Sequence, residues 1–549
     1  MKNLISFLEN RFGPRVNLEL STDIPEYETE AFGRKQFLRL HVFQIETIKE
    51  LVELANEVSD NSELAFAITP ISSGKNWGYG TQTPIEGDKN VVILDLSNFN
   101  KIKYFDSENG IVTLEPGVTQ QQLHDYLEST KAPYIVPVTG AGPTVSIVGN
   151  ALERGYGITP IADHFSAVTS IKGYLGDGSF FESSLKAMSD QHQNSKEDCY
   201  VDKTYKWKQG PYLEGLFTQS GNLIATEATI ILARQKEYFS SFYMRFYQKE
   251  SFSDAYAITK DIFRELEGVV GSINLMDKRR VAAMVAANPN GPESHDCMTD
   301  EQVNHISKSY DVPEWTLVGT LYGTKRVVKA AKKDIQKIVK GRVDQLLFSD
   351  SLLVKLGSII TTSSNNKLLA AAKEQLAKLA EGTKVMKGIP TEVALPLAYW
   401  RHHKSRSELP KSTYLDPARD KCGLLWYAPL IPATTTKMKD FIDMVRRVTP
   451  RFNIEPMITF TNLSGVATDS TIPIVFDRMN PQAVQDAHNC LKMLFEEGIK
   501  QGFIPYRLNI IQQRSLDPNS VFWTTAGKIS HVLDPNGVLN PHRYNPYVP

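Results

Sequence analysis

Apolar residues recur at helical spacing over 41–60 (HVFQIETIKELVELANEVSD), and the run ends in a polar cluster, so a helix is predicted there. Short apolar runs follow at 65–71 (AFAITPI), 91–96 (VVILDL) and 110–118 (GIVTLEPGV) and read as strands, and 118–130 (VTQQQLHDYLEST) reads as a helix. Strand YIVPV at 134–138 runs into a glycine-rich turn, and SIVGNALERG at 146–155 opens another helix. Residues 166–183 read as a hairpin about a Gly-Asp-Gly turn, the polar stretch 184–210 as a surface loop, and 210–235 as renewed order ending in a strand. From about 239 the texture changes to long helical segments at 253–266, 326–341, 366–380, 434–447 and 481–501, alternating with short strands. A domain boundary is expected near 238. The loop-rich tail around 527–544 is expected to pack back onto the first domain. Hairpins mixed with helices, without regular βαβ alternation, give an α+β fold of two domains.

Composition narrows the function classes. A chain of 549 residues exceeds one compact core. Net charge is −1, which provides no basic field for nucleic acid, and clusters such as KAAKKDIQK at 329–337 read as solvated helix faces. Cys199, Cys297, Cys422 and Cys490 lie far apart and suggest neither a disulfide framework nor a zinc site, which fits a reduced compartment. The first residues read as a short amphipathic helix ended by Gly13-Pro14, not as a signal peptide. No run approaches ~20 apolar residues, so no membrane span is expected and a cytoplasmic location is the default. The eleven histidines are scattered, with no HExxH, and no metal site is expected.

The chemistry concentrates in two glycine-rich turns, ITPISSGKNWGYG at 68–80 and VPVTGAGPTVSIVGNALERGYG at 136–157. Glycine lets backbone N–H groups face a phosphate with no Cβ in the way. Neither GxGxxG nor GxxxxGK[ST] is present, so a diphosphate cradle of another kind is indicated.

Seven segments in order, SSGKNWGYG, LEPGVT, VGNALERGYGITPIADHF, LFTQSG, GIPT, PYR and LDPNGVLNP, resemble the vanillyl-alcohol oxidase / p-cresol methylhydroxylase family of flavoproteins. The resemblance implies a PCMH-type FAD-binding domain, here 1–238 completed by 501–549, and a cap over 239–500 with an antiparallel sheet flanked by helices. It implies FAD held by Ser73, Gly74, Lys75, Asn76 and Gly78 in the first turn. Pro137, Gly142, Gly149, Asn150, Arg154 and Gly157 would hold it in the second turn, Asn222, Ile224 and Thr226 on the adenine and ribose side, and Arg543 beside the reduced flavin. It also implies a phenolate site of Tyr79, Tyr506 and Arg507, in a pocket lined by Ile158, Leu424 and Trp426. A phenol with a pKa near ~10 needs a cation and hydroxyl donors to ionise at neutral pH.

Three departures from the family pattern stand out. Leu424 occupies the position of a flavin-tethering histidine, with Tyr427 and Cys422 out of register, so FAD is expected to be non-covalent. Ala141 occupies the position of an aspartate near flavin N5. Ile158 replaces a third tyrosine, and Tyr156 lies two residues away. Asp163-His164 reads as structural, Glu392 as an acid within reach of the pocket, and His402-His403 as part of a polar surface insertion.

The leading expectation is an FAD-dependent oxidase or dehydrogenase that moves hydride from a para-substituted phenol or related aromatic alcohol to N5. The alternatives are a non-phenolic biosynthetic intermediate as substrate, and a flavin-binding partner protein without turnover. A small-molecule substrate, a homodimer and a separate electron acceptor complete the expected partners.

Overall fold

The computed structural model describes residues 1–21, 28–32, 37–82, 89–192, 199–291, 294–350, 381–404, 408, 412 and 414–546. Five sheets organise the described residues, two of them two-stranded, one of which pairs Tyr134–Ile135 with Ala233–Arg234. In the first, strands run in the order Val16–Ser21, Phe37–Val42, Asn90–Asp95, Phe66–Ile71, the last two pairings being parallel. Helix Ile45–Glu57 buries Ile48, Leu51, Val52 and Ala55 in the core beside this sheet, together with Leu4, Leu8 and Phe12 of helix Lys2–Phe12. The tail returns here: Ile68 donates to Val538 and accepts from Asn540 through the backbone.

The second sheet is antiparallel, in the order Ile102–Asp106, Ile111–Leu114, Ile224–Ile231, Val168–Tyr174, Phe180–Phe181. Helix Gln120–Ser129 packs beside it and starts at a capping box in which Thr119 and Gln122 satisfy each other's backbone N–H. Helix Ile147–Leu152 starts at Ser146, whose hydroxyl accepts from Gly149 N–H.

The stretch 184–210 departs from expectation by carrying helices Ser184–His192 and Tyr200–Thr204. Its polarity conceals a buried cluster: Asp202 accepts from Ser170 at 2.9 Å, from Lys208 at 2.8 Å, and from Ser183. The helix expected at 366–380 lies outside the described residues.

The third sheet has eight antiparallel strands, in the order Gln345–Phe348, Tyr238–Phe246, Trp315–Gly323, Val270–Asp277, Thr459–Asn462, Thr468–Ser470, Pro429–Ile431, Ile504–Pro505. Alternation gives it two unlike faces. Phe242, Met244, Ile273, Leu275, Leu317 and Phe460 pack into the largest core, against helices Phe252–Glu265, Lys325–Ile338, Thr435–Val448 and Pro481–Gln501. Tyr243, Asn274, Thr316, Thr459 and Thr461 alternate with them, and Asp469 pairs with Thr461, so all of these face the other way. Gly423–Tyr427 pairs with Ile472–Phe476 in a separate ribbon. No helix among the described residues is long and apolar enough to cross a membrane.

Candidate active site

The two glycine turns meet. Ser146 N–H donates to Ser73 Oγ at 3.1 Å, and a Cβ on Gly149 would overlap the hydroxyl of Ser72. Gly74 has φ of +66° and lets the first turn reverse. The backbone N–H groups of Ser73, Gly74, Lys75, Asn76 and Trp77, like those of Gly140, Gly142 and Thr144, have no partner among the described residues. Unused main-chain donors converging in two adjoining turns fit a diphosphate. His164, against Gly157, offers the opposite chemistry, an acceptor suited to a hydroxyl or N–H donor. Burial pushes its pKa down to about 4, so it is neutral; its Nδ1 donates to Asn150 Oδ1 at 2.5 Å, and its buried Nε2 is left as an acceptor with no partner among the described residues.

Other expected cradle residues have other occupations. The Lys75 ammonium pairs with Asp416, and Gly78 N–H donates to Glu30 at 2.6 Å, so neither of these two groups is free to meet a phosphate. Arg154 is exposed, with Nε donating to Thr218 at 3.0 Å. Asn222 donates to Leu216 O at 3.1 Å and accepts from Ser530. Ile224 is buried in the core beside the first sheet, and Thr226 donates to Lys172 O at 3.3 Å. Pro137 lines a small apolar crevice with Ile135, Thr159 and Ile161. Gly142 lies under Leu395, and Gly157 against Val138 O and His164.

Tyr79, Tyr506 and Arg507 come together. The Arg507 guanidinium lies over both rings, 4.9 Å from the centroid of Tyr79 and 5.4 Å from that of Tyr506. Burial raises both tyrosine pKa values, Tyr79 well above the ordinary value. Burial opposes the charge on Arg507, but Tyr506, Tyr79 and Glu153 outweigh it and hold its pKa above the usual range. Arg507 is 6% exposed and donates to Asn76 Oδ1 at 3.0 Å and to the Glu153 carbonyl at 2.6 Å, with Nε left over. Its partners are therefore neutral oxygens. Arg543, the other expected cation, is paired with the Glu153 carboxylate, so of the two Arg507 is the one with charge to offer.

Tyr156 joins this group, its ring 5.6 Å from that of Tyr506 and its hydroxyl donating to Asp469 Oδ2. The carbonyl of Ile158, two residues on, accepts from Tyr322 at 3.3 Å. Asp469, which sequence reasoning missed, is 1% exposed, and its Oδ1 has no partner among the described residues. Burial pushes its carboxyl up to about 7, against the opposing pull of the Tyr156 hydroxyl and the Arg507 charge. No acid in the second glycine turn was needed to bring a carboxylate here.

Tyr79 is held from behind. Buried Glu30 accepts from Gly78 N–H at 2.6 Å and Gly80 N–H at 3.0 Å, on either side of it. A Cβ on Gly78 would overlap the indole of Trp426. Leu424 is buried against Trp77 and Leu395, with its N–H donating to the Thr29 carbonyl. Tyr427 lies in the large core and Cys422 is fully buried.

Two expectations are corrected. Arg401 and His402 are buried rather than on a polar surface: His402 Nε2 donates to Asp420 O at 2.6 Å, and the insertion packs Ala394 and Leu395 over Gly140 and Gly142. Glu392 accepts from Leu415 N–H and is occupied in the insertion. Asp163 caps the turn at Phe165 and Ser166, as expected of a structural residue.

Residues 40–184 match the FAD binding domain family. The chain is 27% identical over 487 residues to 1'-carboxy-chondrochloren decarboxylase of Chondromyces crocatus, covering 88% of this chain and 86% of that protein. It is 25% identical over 512 residues to the flavoprotein subunit of 4-cresol dehydrogenase (hydroxylating) of Pseudomonas putida, covering 91% and 86%. The structure of p-cresol methylhydroxylase with substrate bound superposes with TM-score 0.80 at 21% identity, and that of 4-ethylphenol oxidase from Gulosibacter chungangensis with isoeugenol at 0.82 and 18%. Each covers 100% of this chain and 97% of the other. The FAD-binding domain, the relatives matched over most of their length and the shared fold support an FAD-dependent oxidoreductase similar to the p-cresol methylhydroxylase / vanillyl-alcohol oxidase flavoproteins.

Proposed function

We propose that the enzyme oxidises a para-substituted phenol or related aromatic alcohol, which Tyr79, Tyr506 and Arg507 hold as its phenolate. The observation that carries this reading is the buried guanidinium of Arg507, flanked by two tyrosines and bonded only to neutral oxygens. A buried cation whose hydrogen bonds go to neutral oxygens favours a further anion beside it. A phenol, with a pKa near ~10, becomes that anion when a cation and hydroxyl donors surround its oxygen.

Bound FAD supplies the acceptor for the hydride that leaves the side-chain carbon para to the oxygen. The amides of 73–77 would hold its diphosphate, and Leu424 offers no atom for a covalent link, so FAD attachment is non-covalent. Asp469 takes the place of the acid absent at Ala141: its free Oδ1 accepts a proton from water or substrate, while Tyr156 holds the other oxygen. Residues 1–238 with 501–549 form the cofactor unit and 239–500 the cap. The similarity to a protein named as a flavoprotein subunit supports a separate electron acceptor, with a homodimer as the alternative assembly.

A second reading has its own support in the decarboxylase relative and in the alanine at 141. A phenol whose side chain carries a carboxylate on the carbon next to the benzylic one could lose hydride from the benzylic carbon. It would then lose CO2, the C–C electron pair forming the new double bond. Such a reaction needs no activated water. Release of one CO2 per flavin reduced, with an alkenyl phenol as product, would establish it; hydroxylated product with the carboxylate retained would exclude it.

The phenolate site itself is tested by titrating oxidised holoprotein with a non-reducing para-substituted phenol and with its O-methyl ether, followed by flavin absorbance. The ether is expected to bind about tenfold weaker or worse, from the loss of charge-assisted hydrogen bonds. Equal affinities would remove the phenolate reading.

A further inference from the structure

Asp469 belongs to a wider surface. In the eight-stranded sheet Asp469 pairs with Thr461, and Thr461 with Asn274, so the three side chains form one row on the face opposite the large core. The adjacent row pairs Thr459 with Met276 and Met276 with Thr316. Neighbouring strands lie about 4.8 Å apart, so this wall runs on the order of 10 Å from Asp469.

Two features distinguish the wall from an ordinary packed face. The first is polar atoms without partners: Asp469 Oδ1, Asn274 Oδ1, Thr459 Oγ1, Thr316 Oγ1 and Ser272 Oγ are all buried and have no hydrogen bond among the described residues. Asp469, Ser272 and Thr459 are each more than nine-tenths buried. The second is access. Asn274, Met276 and Thr316 keep partial exposure, while Ile273, Leu275 and Leu317 on the other face have none. The polar atoms of this face are buried and lack partners among the described residues. A buried hydroxyl or amide left unpaired costs about 1–3 kcal/mol, so such a row persists where something supplies hydrogen bonds.

We propose that this wall is a second subsite, which takes the far end of the substrate's para side chain and selects a neutral hydrogen-bonding tail, an amide or hydroxyl, over an alkyl one. The inference rests on the phenolate reading, because Asp469 links the wall to the tyrosine and arginine cluster. The head of the substrate lies at Arg507 and its tail on Asn274 and Thr459. The substrate class is then an extended phenol carrying an amide or hydroxyl a few bonds from the ring, and simple alkylphenols are poor ligands.

The test compares 3-(4-hydroxyphenyl)propanamide with its hydrocarbon isostere 4-isopentylphenol by the concentration dependence of the anaerobic flavin reduction rate, which gives the dissociation constant of each from the oxidised holoprotein. The amide is expected to bind about five- to tenfold more tightly to the wild type, the effect of one or two hydrogen bonds at a dry site. In Thr459→Val and Asn274→Leu, each checked for full flavin content, that preference is expected to fall toward unity while affinity for the isostere stays within about twofold. If the isostere binds as tightly as the amide, or both ligands weaken equally in the variants, the wall holds only water and the proposal falls while the phenolate site stands. If neither phenol perturbs the flavin, the phenolate reading fails and takes the subsite with it.

Discussion

Arg507 and Asp469 carry opposite charges into one buried site, and each makes a separate prediction. Arg507→Met keeps the volume but removes the cation, so affinity for a phenolic inhibitor should fall about 10- to 100-fold, the range of a charge-assisted hydrogen bond, with flavin content unchanged. Asp469, pushed up to about 7, is protonated below that pH and can accept a proton only above it. The rate of flavin reduction by substrate should therefore drop as pH falls through about 7, and Asp469→Asn should lose that limb. Burial also makes the charge a burden on the fold: with a folded pKa above the unfolded value near ~3.9, stability contributed by this group is full below that value and is lost as pH rises through about 7. The Asn variant should show a flatter dependence of melting temperature on pH across that window. Tyr79, Tyr506 and Arg507 were legible because short motifs carry them. Asp469 was not: it lies in an ordinary TDS stretch, and only the register of a sheet of eight strands brings it to Tyr156.

Loops and straps show why local pattern carries only part of the site. The glycine turns were readable because their backbone demands are written in the sequence, as at Gly78, where the Trp426 indole leaves no room for a Cβ. What those turns bind to was not readable. Glu30 lies 49 positions before Tyr79 and clamps the two amides around it through a single oxygen. Glu30→Gln keeps one carbonyl oxygen for both amides, whereas Glu30→Ala leaves both unpaired. The Ala variant should lose about 3 kcal/mol or more in denaturant unfolding of the holoprotein and should bind phenol more weakly; the Gln variant should lose clearly less on both counts. The insertion around Arg401 and His402 misled for a related reason. Polar residues at helical or loop spacing suggest a surface, but here backbone carbonyls of Asn453, Asp296 and Asp420 satisfy them inside. The same holds for Asp202 between its serines and Lys208.

At the scale of the whole molecule, the sheet with its two faces joins the parts: one side is packed apolar core, the other carries the acid and the polar wall. The α+β class followed from hairpins and helices without βαβ order. The parallel pairs of the first sheet, in which Phe37–Val42 and Phe66–Ile71 flank Asn90–Asp95, have no separate sequence signal, since such runs look alike from sequence in either orientation. Non-covalent attachment predicts that acid precipitation releases the yellow flavin into the supernatant, whereas colour left in the pellet would show that another side chain does what Leu424 cannot. The most direct test of phenol oxidation at this site is anaerobic mixing of the holoprotein with a para-alkylphenol or its amide-bearing counterpart, with the O-methyl ether as control, followed by the visible absorbance of the flavin. The account predicts bleaching with the free phenol, none with the ether, and strongly slowed bleaching in Arg507→Met. A flavin that stays oxidised with every para-substituted phenol, or that the ether reduces equally well, would contradict it.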